Sequence, residues 1–240
     1  MKYITTSWDD GHPLDFKIAE LLARYNIQGT FYIPRANEEH AVMTEDEISS
    51  LARYFEVGGH TLNHISLGGN ARNIHEYEIA GSFKWLSELL NHNPVSFCFP
   101  RGVYDRQVIK TAKKAGYRIF RTVELLSISD KDSTLLPTSL QLYEHGSFTY
   151  MKHLIKRRRG KNLIQWLQSG SESNLLNLTD YYLNKIEEKG CGCFHLWGHS
   201  WEIEEYGLWQ KLEEVLQHLA ARKEFQFIPN KDLVMVKRFN

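Results

Sequence analysis

The stretch that decides the fold is KYITTSWDDG, residues 2–11, in which an extended apolar run ends abruptly in two acids and a glycine. Residues 2–8 are rich in aromatic and β-branched side chains, which fit a pleated, half-buried surface, so a strand is predicted there. Asp9 and Asp10 then lie at the C-terminal end of that strand, which faces the ligand crevice in parallel α/β folds. Asp-Asp-Gly also favours turns, so a plain turn is the alternative.

The two carboxylates also predict something about each other. Adjacent acids repel unless a cation or a shared proton relieves them. Because successive side chains of a strand point to opposite sides, Asp9 and Asp10 are expected to have different functions.

Working outward from this strand, the spacing of apolar residues predicts alternating strands and helices. A parallel sheet with helices outside follows, either closed as a barrel or open and doubly wound, and 240 residues are compatible with one α/β domain spanning 1–240. A capping box at Thr44 and Glu47 opens one helix, which is expected to run to about Phe55. The other predicted helices cover 13–25, 73–91, 105–115, 147–168, 179–189 and 206–222, and the other strands cover 29–33, 56–59, 95–99, 117–123, 135–142, 191–199 and 225–228.

Composition narrows the class of partner. Lys plus Arg and Asp plus Glu both number 29, so no global charge favours nucleic acid, and a small-molecule substrate is expected. No apolar run approaches the ~20 residues of a membrane span, and the first strand begins at residue 2 or 3, which predicts a cytoplasmic protein without a signal peptide. Cys98, Cys191 and Cys193 all lie in strand-like runs and are expected to be reduced thiols.

Several polar residues directly follow predicted strands, where a shared site would form. His60 and His64 would lie on one face if residues 60–64 form a helical turn, so both imidazoles could bind one divalent ion. Two histidines plus one Asp leave an open position for water on a metal such as zinc, the pattern of a catalytic site. A structural histidine is the plain alternative for each. The residues of the predicted site are Asp9, Asp10, His60, His64, Arg101, Tyr104 and His199.

A second set of potential zinc ligands occurs on the predicted strand over 191–199. Cys191, Cys193, His195 and His199 share one face of it. Alternate residues of a straight strand are spread too far apart to surround one ion, so this set is not expected to bind zinc, and His195 is expected to be a satisfied core histidine.

The motifs TTSWDDGH (5–12), GTFYIP (29–34), GGHTLNH (58–64), FPRGVY (99–104) and FHLWGHSWE (194–202) together resemble the polysaccharide deacetylase family, the NodB-homology carbohydrate esterases. The resemblance implies a distorted (β/α) barrel of mostly parallel strands and metal-dependent hydrolysis of an N-acetyl group on a sugar. It implies Asp9 as general base, His199 as general acid and Arg101 as the residue that orients Asp9. It also implies Asp10, His60 and His64 as ligands of a divalent metal, most simply zinc, and Tyr104, Pro100 and Trp197 as substrate or oxyanion residues.

The sequence departs from the family pattern at one important point. The fourth motif, with its Asp and Trp, is missing, and residues 121–124 occupy its region, so the partner of the catalytic histidine is unassigned. Besides a deacetylase of a small N-acylated sugar or glycan precursor, two alternatives therefore remain: a catalytically silent sugar-binding barrel and a hydrolase of a non-sugar cytoplasmic amide.

One basic segment has no role in the predicted deacetylase site. Residues 152–161 carry Lys152, Lys156, three consecutive arginines at 157–159 and Lys161. A solvated helix face is one interpretation, and an anion-binding patch or a peripheral membrane contact is the other. The oligomeric state is left open.

Overall fold

The computed structural model describes residues 1–69, 72–129, 134–143, 146–156 and 160–236. Within these residues, nine strands form one curled sheet in the order β6-β5-β4-β3-β2-β1-β8-β7, with β9 pairing beside β1. Every pairing between these strands is parallel. The strands are β1 (Lys2–Asp9), β2 (Thr30–Ile33), β3 (Glu56–Gly59), β4 (Ser96–Cys98), β5 (Ile119–Arg121), β6 (Leu135–Leu136), β7 (Leu140–Gln141), β8 (Gly192–Gly198) and β9 (Gln226–Phe227).

Helices connect the strands and pack outside the sheet. Most are amphipathic, as α9 illustrates by burying Leu212, Val215, Leu216 and Leu219. The helices are α1 (Asp15–Arg24), α2 (Glu45–Leu51), α3 (Arg72–Leu90), α4 (Arg106–Ala115), α5 (Ser147–Lys156), α6 (Gly160–Gln168), α7 (Leu175–Lys189), α8 (Ser200–Glu205), α9 (Trp209–Ala221) and α10 (Leu233–Val236). This parallel, helix-covered half-barrel confirms the predicted fold class.

The strand β1 lies in the middle of the sheet. It pairs with β8 over seven residues and with β2 at its C-terminal half. From Tyr3 onward all of its residues are buried, because both faces of a parallel sheet are covered. The carboxyl ends of the neighbouring strands therefore meet at the edge that Asp9 occupies.

Most predicted elements are found, with shifts at their ends. The capping box at Thr44 is present, but α2 ends at Leu51. After it, the amides of residues 53 and 54 donate to carbonyls three residues back, as in a 3₁₀ turn, instead of four residues back as in an α-helix. The helix α7 starts at Leu175, four residues before its predicted start, because the side chain of Asn174 caps it. The predicted strand over 135–142 is two short strands on opposite edges of the sheet, separated at Pro137.

No helix among the described residues combines the length and the apolar composition that crossing a bilayer requires. The cytoplasmic location and the single-domain boundary of 1–240 stay predictions. None of the three cysteines, all of which are described, is in a disulfide, as expected; Cys98 and Cys193 are buried and Cys191 is partly exposed.

Candidate active site

A cavity of about 570 Å³ opens at the carboxyl edge of the sheet. One side is polar and contains the acids and histidines singled out by the sequence. The other side is apolar and is formed by residues that follow β5 and by the inner face of α5. The lining of the cavity includes Asp9, Asp10, Glu39, His60, His64, Arg101, Leu126, Tyr150, Leu154, Trp197, His199 and Trp201.

The chain turns sharply between the two acids. Asp9 is the last residue of β1, whereas Asp10 and Gly11 have positive φ angles of 80° and 63°, a conformation that Asp and Gly tolerate better than most residues. The Asp10 amide still donates to the Tyr32 carbonyl at 3.0 Å, the last bond beside β2. The turn sends the two buried carboxylates to different partners, so strand alternation is not what separates them.

Asp10, His60 and His64 form one group. Asp10 Oδ1 lies 3.4 Å from His60 Nε2 and 3.0 Å from His64 Nε2. All three ligand atoms lie within 4.8 Å of one another, close enough to bind a single ion. The expected helical turn is absent: Thr61 and His64 have φ angles of 64° and 52°, and these left-handed residues bring the two imidazoles together.

The protonation of this group favours a cation between its members. His60 Nδ1 lies 2.9 Å from the Cys98 carbonyl, which can only accept, so Nδ1 carries the proton and Nε2 presents a lone pair. Burial lowers the pKa of His60, which keeps its imidazole neutral. Burial alone would raise the pKa of Asp10, but the nearby His60 and His64 outweigh it and hold that pKa below its usual range. Two imidazoles and a carboxylate are the donor set of a catalytic zinc site.

A second group of potential ligands overlaps the first. Asp9, His60 and Cys98 also lie within 4.8 Å of one another. Burial raises the pKa of the Cys98 thiol well above its usual value, so this group lacks a thiolate, and Asp10 with the two histidines is the better metal site. The strand-borne set rejected above, Cys191, Cys193, His195 and His199, is not among the candidate groups of the described residues.

Trp201 also belongs to the site, although it was not among the predicted site residues. Its Nε1 donates to Asp10 Oδ2 at 2.9 Å, and its ring stacks on His40 with centroids 4.0 Å apart. The oxygen of Asp10 that does not face the histidines is therefore held by a fixed donor. Trp201 lies in the quoted motif FHLWGHSWE, two residues after His199, which was the available signal.

The arginine beside Asp9 is Arg121 and not Arg101, which corrects the expectation drawn from the resemblance. Arg121 Nη2 donates to Asp9 Oδ2, and both side chains are buried. Arg101 instead pairs with Glu39 at 2.5 Å on the exposed rim of the cavity. Glu39 Oε2 also lies 3.8 Å from His64 Nδ1, so the rim pair reaches the candidate metal group from outside.

The sheet explains why Arg121, and not Arg101, pairs with Asp9. Arg121 is the last residue of β5 and is level with Cys98 of β4, whose thiol also approaches Asp9 Oδ2, at 3.7 Å. Burial lowers the pKa of Arg121 to about 9, which still leaves the guanidinium charged at neutral pH. The guanidinium lies 4.6 Å from the centre of the Trp197 ring, a cation–π contact that helps to hold a buried cation.

His199 has a carboxylate partner. Its Nδ1 lies 3.3 Å from Glu202 Oε2, and the same oxygen accepts a bond from Gln141 Nε2 at 3.0 Å. Its other nitrogen, Nε2, lies 3.9 Å from Asp10 Oδ2 and so faces the cavity. Glu202 is therefore the partner of His199 that the missing fourth motif left unassigned. It comes from α8, a helix that was not predicted.

The three predicted substrate or oxyanion residues lie in different positions. Trp197 lines the cavity and packs edge-on against His199 with ring centroids 5.2 Å apart. Pro100 and Tyr104 are not among the lining residues. Tyr104 stacks on Phe99 at 4.5 Å and donates to Glu124 at 3.0 Å. The role of Tyr104 as a substrate or oxyanion residue stays a prediction.

His195 has the surroundings expected of a core histidine. It is fully buried, with Nδ1 2.5 Å from Thr5 Oγ1 and Nε2 2.9 Å from Ser7 Oγ. Burial and, secondarily, the charge of Arg121 lower its pKa well below the usual value. A neutral, satisfied imidazole follows.

The basic segment 152–161 is described in part. Lys152 on α5 and Lys161 on α6 are exposed. Residues 157–159 and the side chain of Lys156 lie outside the described residues, so the anion-binding interpretation of that run stays a prediction.

Comparison with known proteins identifies the family. The family model described as polysaccharide deacetylase matches residues 1–120, half of the chain. The chain belongs to the polysaccharide deacetylase family. The matched half contains the acids of β1, both histidines of the candidate metal group and the FPRGVY motif, whereas His199 and Glu202 lie beyond it.

Individual members of the family are more distant. YxkH of Bacillus subtilis, which carries the name of a polysaccharide deacetylase, is 25% identical over 126 residues, 51% of this chain and 45% of that protein. The peptidoglycan-N-acetylglucosamine deacetylase of Bacillus cereus is 27% identical over 119 residues, 49% of this chain and 54% of that protein. The chain thus matches about half the length of these curated relatives. A family 4 acetyl xylan esterase from Clostridium thermocellum, solved in complex with a cobalt ion, has the same fold over 99% of this chain and 93% of that one, with a TM-score of 0.61 and 13% identity.

Proposed function

We propose that this protein is a metal-dependent hydrolase that removes an N-acetyl or similar small acyl group from a sugar or glycan precursor. The observation that carries the proposal is the convergence of Asp10, His60 and His64 beside a second buried acid, Asp9, and a carboxylate-paired histidine, His199. Family membership supports sugar deacetylation as the reaction. The name of the Bacillus cereus relative points to amide hydrolysis on an N-acetylated sugar.

The candidate metal group fits a divalent ion, and zinc suits its nitrogen and oxygen donors best. Asp10 Oδ1 is buried and accepts no hydrogen bond among the described residues, which a bound cation would remedy. When bound, such an ion supplies Lewis acidity, which polarises an acyl carbonyl and lowers the pKa of a coordinated water. Trp201 would fix the orientation of Asp10, as a partner behind a metal ligand does.

Asp9 is the proposed general base. Asp9 lines the cavity, and its buried Oδ1 has no hydrogen-bond partner among the described residues, so this oxygen can accept a proton from the attacking water. Arg121 holds Oδ2, which orients the carboxylate and keeps it ionised. Water adds to the acyl carbon as its proton passes to Asp9.

His199 is the proposed general acid. Its Nδ1 is held by Glu202, which leaves Nε2 facing the cavity to protonate the leaving nitrogen as the C–N bond breaks. The products are a carboxylate and a free amine. The alternative of a silent sugar-binding barrel rested on the missing fourth motif; Arg121 beside Asp9 and Glu202 beside His199 support a hydrolase instead.

Metal analysis of purified variants tests the proposal. His60→Ala and Asp10→Asn should lose metal and activity together, whereas Asp9→Asn should retain metal and lose about 10²-fold or more in kcat at neutral pH, measured as acetate release from N-acetylglucosamine oligomers. The matched control is His92→Ala, an exposed histidine away from the cavity.

Two results would count against this assignment. Stoichiometric metal with full activity in His60→Ala would show that the ligand assignment is wrong. Hydrolysis of N-acetylated amino acids without hydrolysis of any N-acetylated sugar would instead favour the non-sugar amide alternative.

A further inference from the structure

Two neighbouring helices expose an unusual number of large apolar side chains. On α5 and α6 these are Phe148 (71% exposed), Met151 (37%), Ile155 (59%), Ile164 (58%) and Leu167 (55%). They amount to almost half of the exposed large apolar residues of the described chain, within a segment of 22 residues. A concentration of this kind on a monomer surface indicates an interaction site.

The exposed residues form one face of each helix. On α5, residues 148, 151 and 155 follow the i, i+3, i+7 spacing of a single stripe, and on α6 residues 164 and 167 are one turn apart. The opposite face of α5 is buried, with Tyr150 and Leu154 lining the active-site cavity. The outer stripe is therefore not the remainder of a poorly packed core, because the inner faces of both helices already have partners.

The helices α5 and α6 are fixed to the rest of the molecule. Trp166 of α6 is buried, its Nε1 donates to the Glu172 carbonyl at 2.8 Å, and its ring lies 6.2 Å from that of Tyr150. Asn162 Nδ2 donates to the Leu125 carbonyl at 2.9 Å. These contacts fix α5 and α6 to each other and to the rest of the molecule.

The charge of the same segment indicates which partner fits. Residues 147–168 contain six Lys or Arg and no Asp or Glu, although the chain as a whole is neutral. Of these, Lys152 and Lys161 are exposed on the two helices beside the apolar stripes. Exposed apolar side chains flanked by lysines are the composition of helices that lie in the interface of an anionic bilayer.

We propose that the outer face of α5 and α6, defined by Phe148, Met151, Lys152, Ile155, Lys161, Ile164 and Leu167, docks on the surface of an anionic lipid bilayer. The apolar side chains enter the boundary between headgroups and acyl chains, and the lysines contact lipid phosphates. Since α5 also forms a wall of the cavity, docking holds the cavity next to the lipid headgroups. The proposal does not depend on the deacetylase function, because lipid binding is measured without substrate.

Vesicle co-sedimentation of the full chain tests the proposal. Wild type should sediment with vesicles of equal parts phosphatidylcholine and phosphatidylglycerol and remain in the supernatant with phosphatidylcholine alone, and binding should weaken as salt rises. The triple variant Phe148→Ser/Ile155→Ser/Leu167→Ser should lose about tenfold or more in lipid affinity, and Lys152→Ala/Lys161→Ala about as much. The matched control is Tyr54→Ser/Tyr77→Ser, which removes two exposed aromatic residues elsewhere and should bind as wild type does.

Three results would overturn the proposal. Wild type could fail to sediment with either vesicle, or the triple variant could bind anionic vesicles as wild type does while circular dichroism shows that it is folded. Third, analytical ultracentrifugation could show that wild type is a dimer and that the triple variant is a monomer. That result would assign the surface to a second copy of the chain.

Discussion

Replacing Arg121 by methionine tests which arginine serves Asp9. Methionine keeps an unbranched, flexible chain of similar reach but removes the charge and every donor. In wild type the guanidinium is fully buried against a carboxylate whose side chain is 4% exposed. The variant would leave Asp9 buried without its cation.

The expected loss follows from this burial. Removing one partner of a buried ion pair leaves an uncompensated charge and costs roughly 3–5 kcal/mol of unfolding free energy. Whole domains are stable by only about 5–15 kcal/mol, so the variant is expected to be close to the limit of folding. Arg121→Lys keeps a cation but loses the planar fork, and it should fold with an intermediate loss.

Arg101→Met is the matched control, because it makes the same substitution at the arginine that family resemblance assigns to this role. Arg101 and its partner Glu39 are 57% and 51% exposed. An exposed pair contributes about 0.2–1 kcal/mol, so this variant should be nearly as stable as wild type. The predicted difference between the two methionine variants is thus several kcal/mol.

Urea unfolding in the presence of a chelator measures the stabilities without a contribution from bound metal. The kcat of metal-loaded Arg121→Lys should fall by about tenfold to 10²-fold, because a displaced base costs rate even when its charge is retained, whereas Arg101→Met should keep most of its kcat. If Arg101→Met loses more stability and more kcat than Arg121→Lys, the pairing of Arg121 with Asp9 is wrong.

Two further predictions concern the histidines of β8 and its C-terminal end. Glu202→Gln should lower kcat by about tenfold or more with metal content unchanged, because His199 loses its charged partner. The control, Glu205→Gln on the exposed side of the same helix, should keep its kcat. Equal rates in both variants would exclude positioning of His199 by Glu202. His195→Ala should cost about 1–3 kcal/mol at neutral pH through two lost hydrogen bonds. Because burial lowers the pKa of His195, its contribution is present above the unfolded pKa of about 6.5 and is lost as pH falls through the folded pKa, so the deficit against wild type should shrink in acid. Urea titrations at several pH values measure this change, with His92→Ala, at an exposed histidine, as the matched control.

Much of the fold could be predicted from the sequence because its signals are local. The run of β-favouring residues before Asp9 predicts the central strand, and the amphipathic spacing of residues such as Leu212 and Leu216 predicts the covering helices. Once strands and helices alternate, the parallel sheet places all carboxyl ends at one edge, and the gathering of Asp9, Asp10 and His60 follows from topology.

The details of the site depend on contacts that periodicity does not encode. The two metal-site histidines converge through left-handed residues at 61 and 64, and such a backbone is an outlier for the β-branched Thr61. Glu202 was within reach of sequence reasoning, because it follows His199 at the i, i+3 spacing of a helical turn, but that turn, α8, had not been predicted. The capping of α7 by Asn174 was missed in the same way.

The pairing of Asp9 with Arg121 instead of Arg101 shows why a motif match locates a site better than it assigns the role of each residue. Asp9 needs a cation, and the two arginines come from neighbouring strands: Arg101 follows β4, Arg121 ends β5, and Cys98 of β4 is level with Arg121. From β5 the guanidinium approaches Asp9 inside the barrel and lies against Trp197, whereas Arg101, after the strand end, projects to the rim. With the buried position filled, Arg101 is free to pair with Glu39, whose other oxygen faces His64. Arg121 therefore supports Asp9 from within, whereas Arg101 lies at the rim with Glu39, which is why Arg101→Met is expected to leave Asp9 and most of the kcat intact.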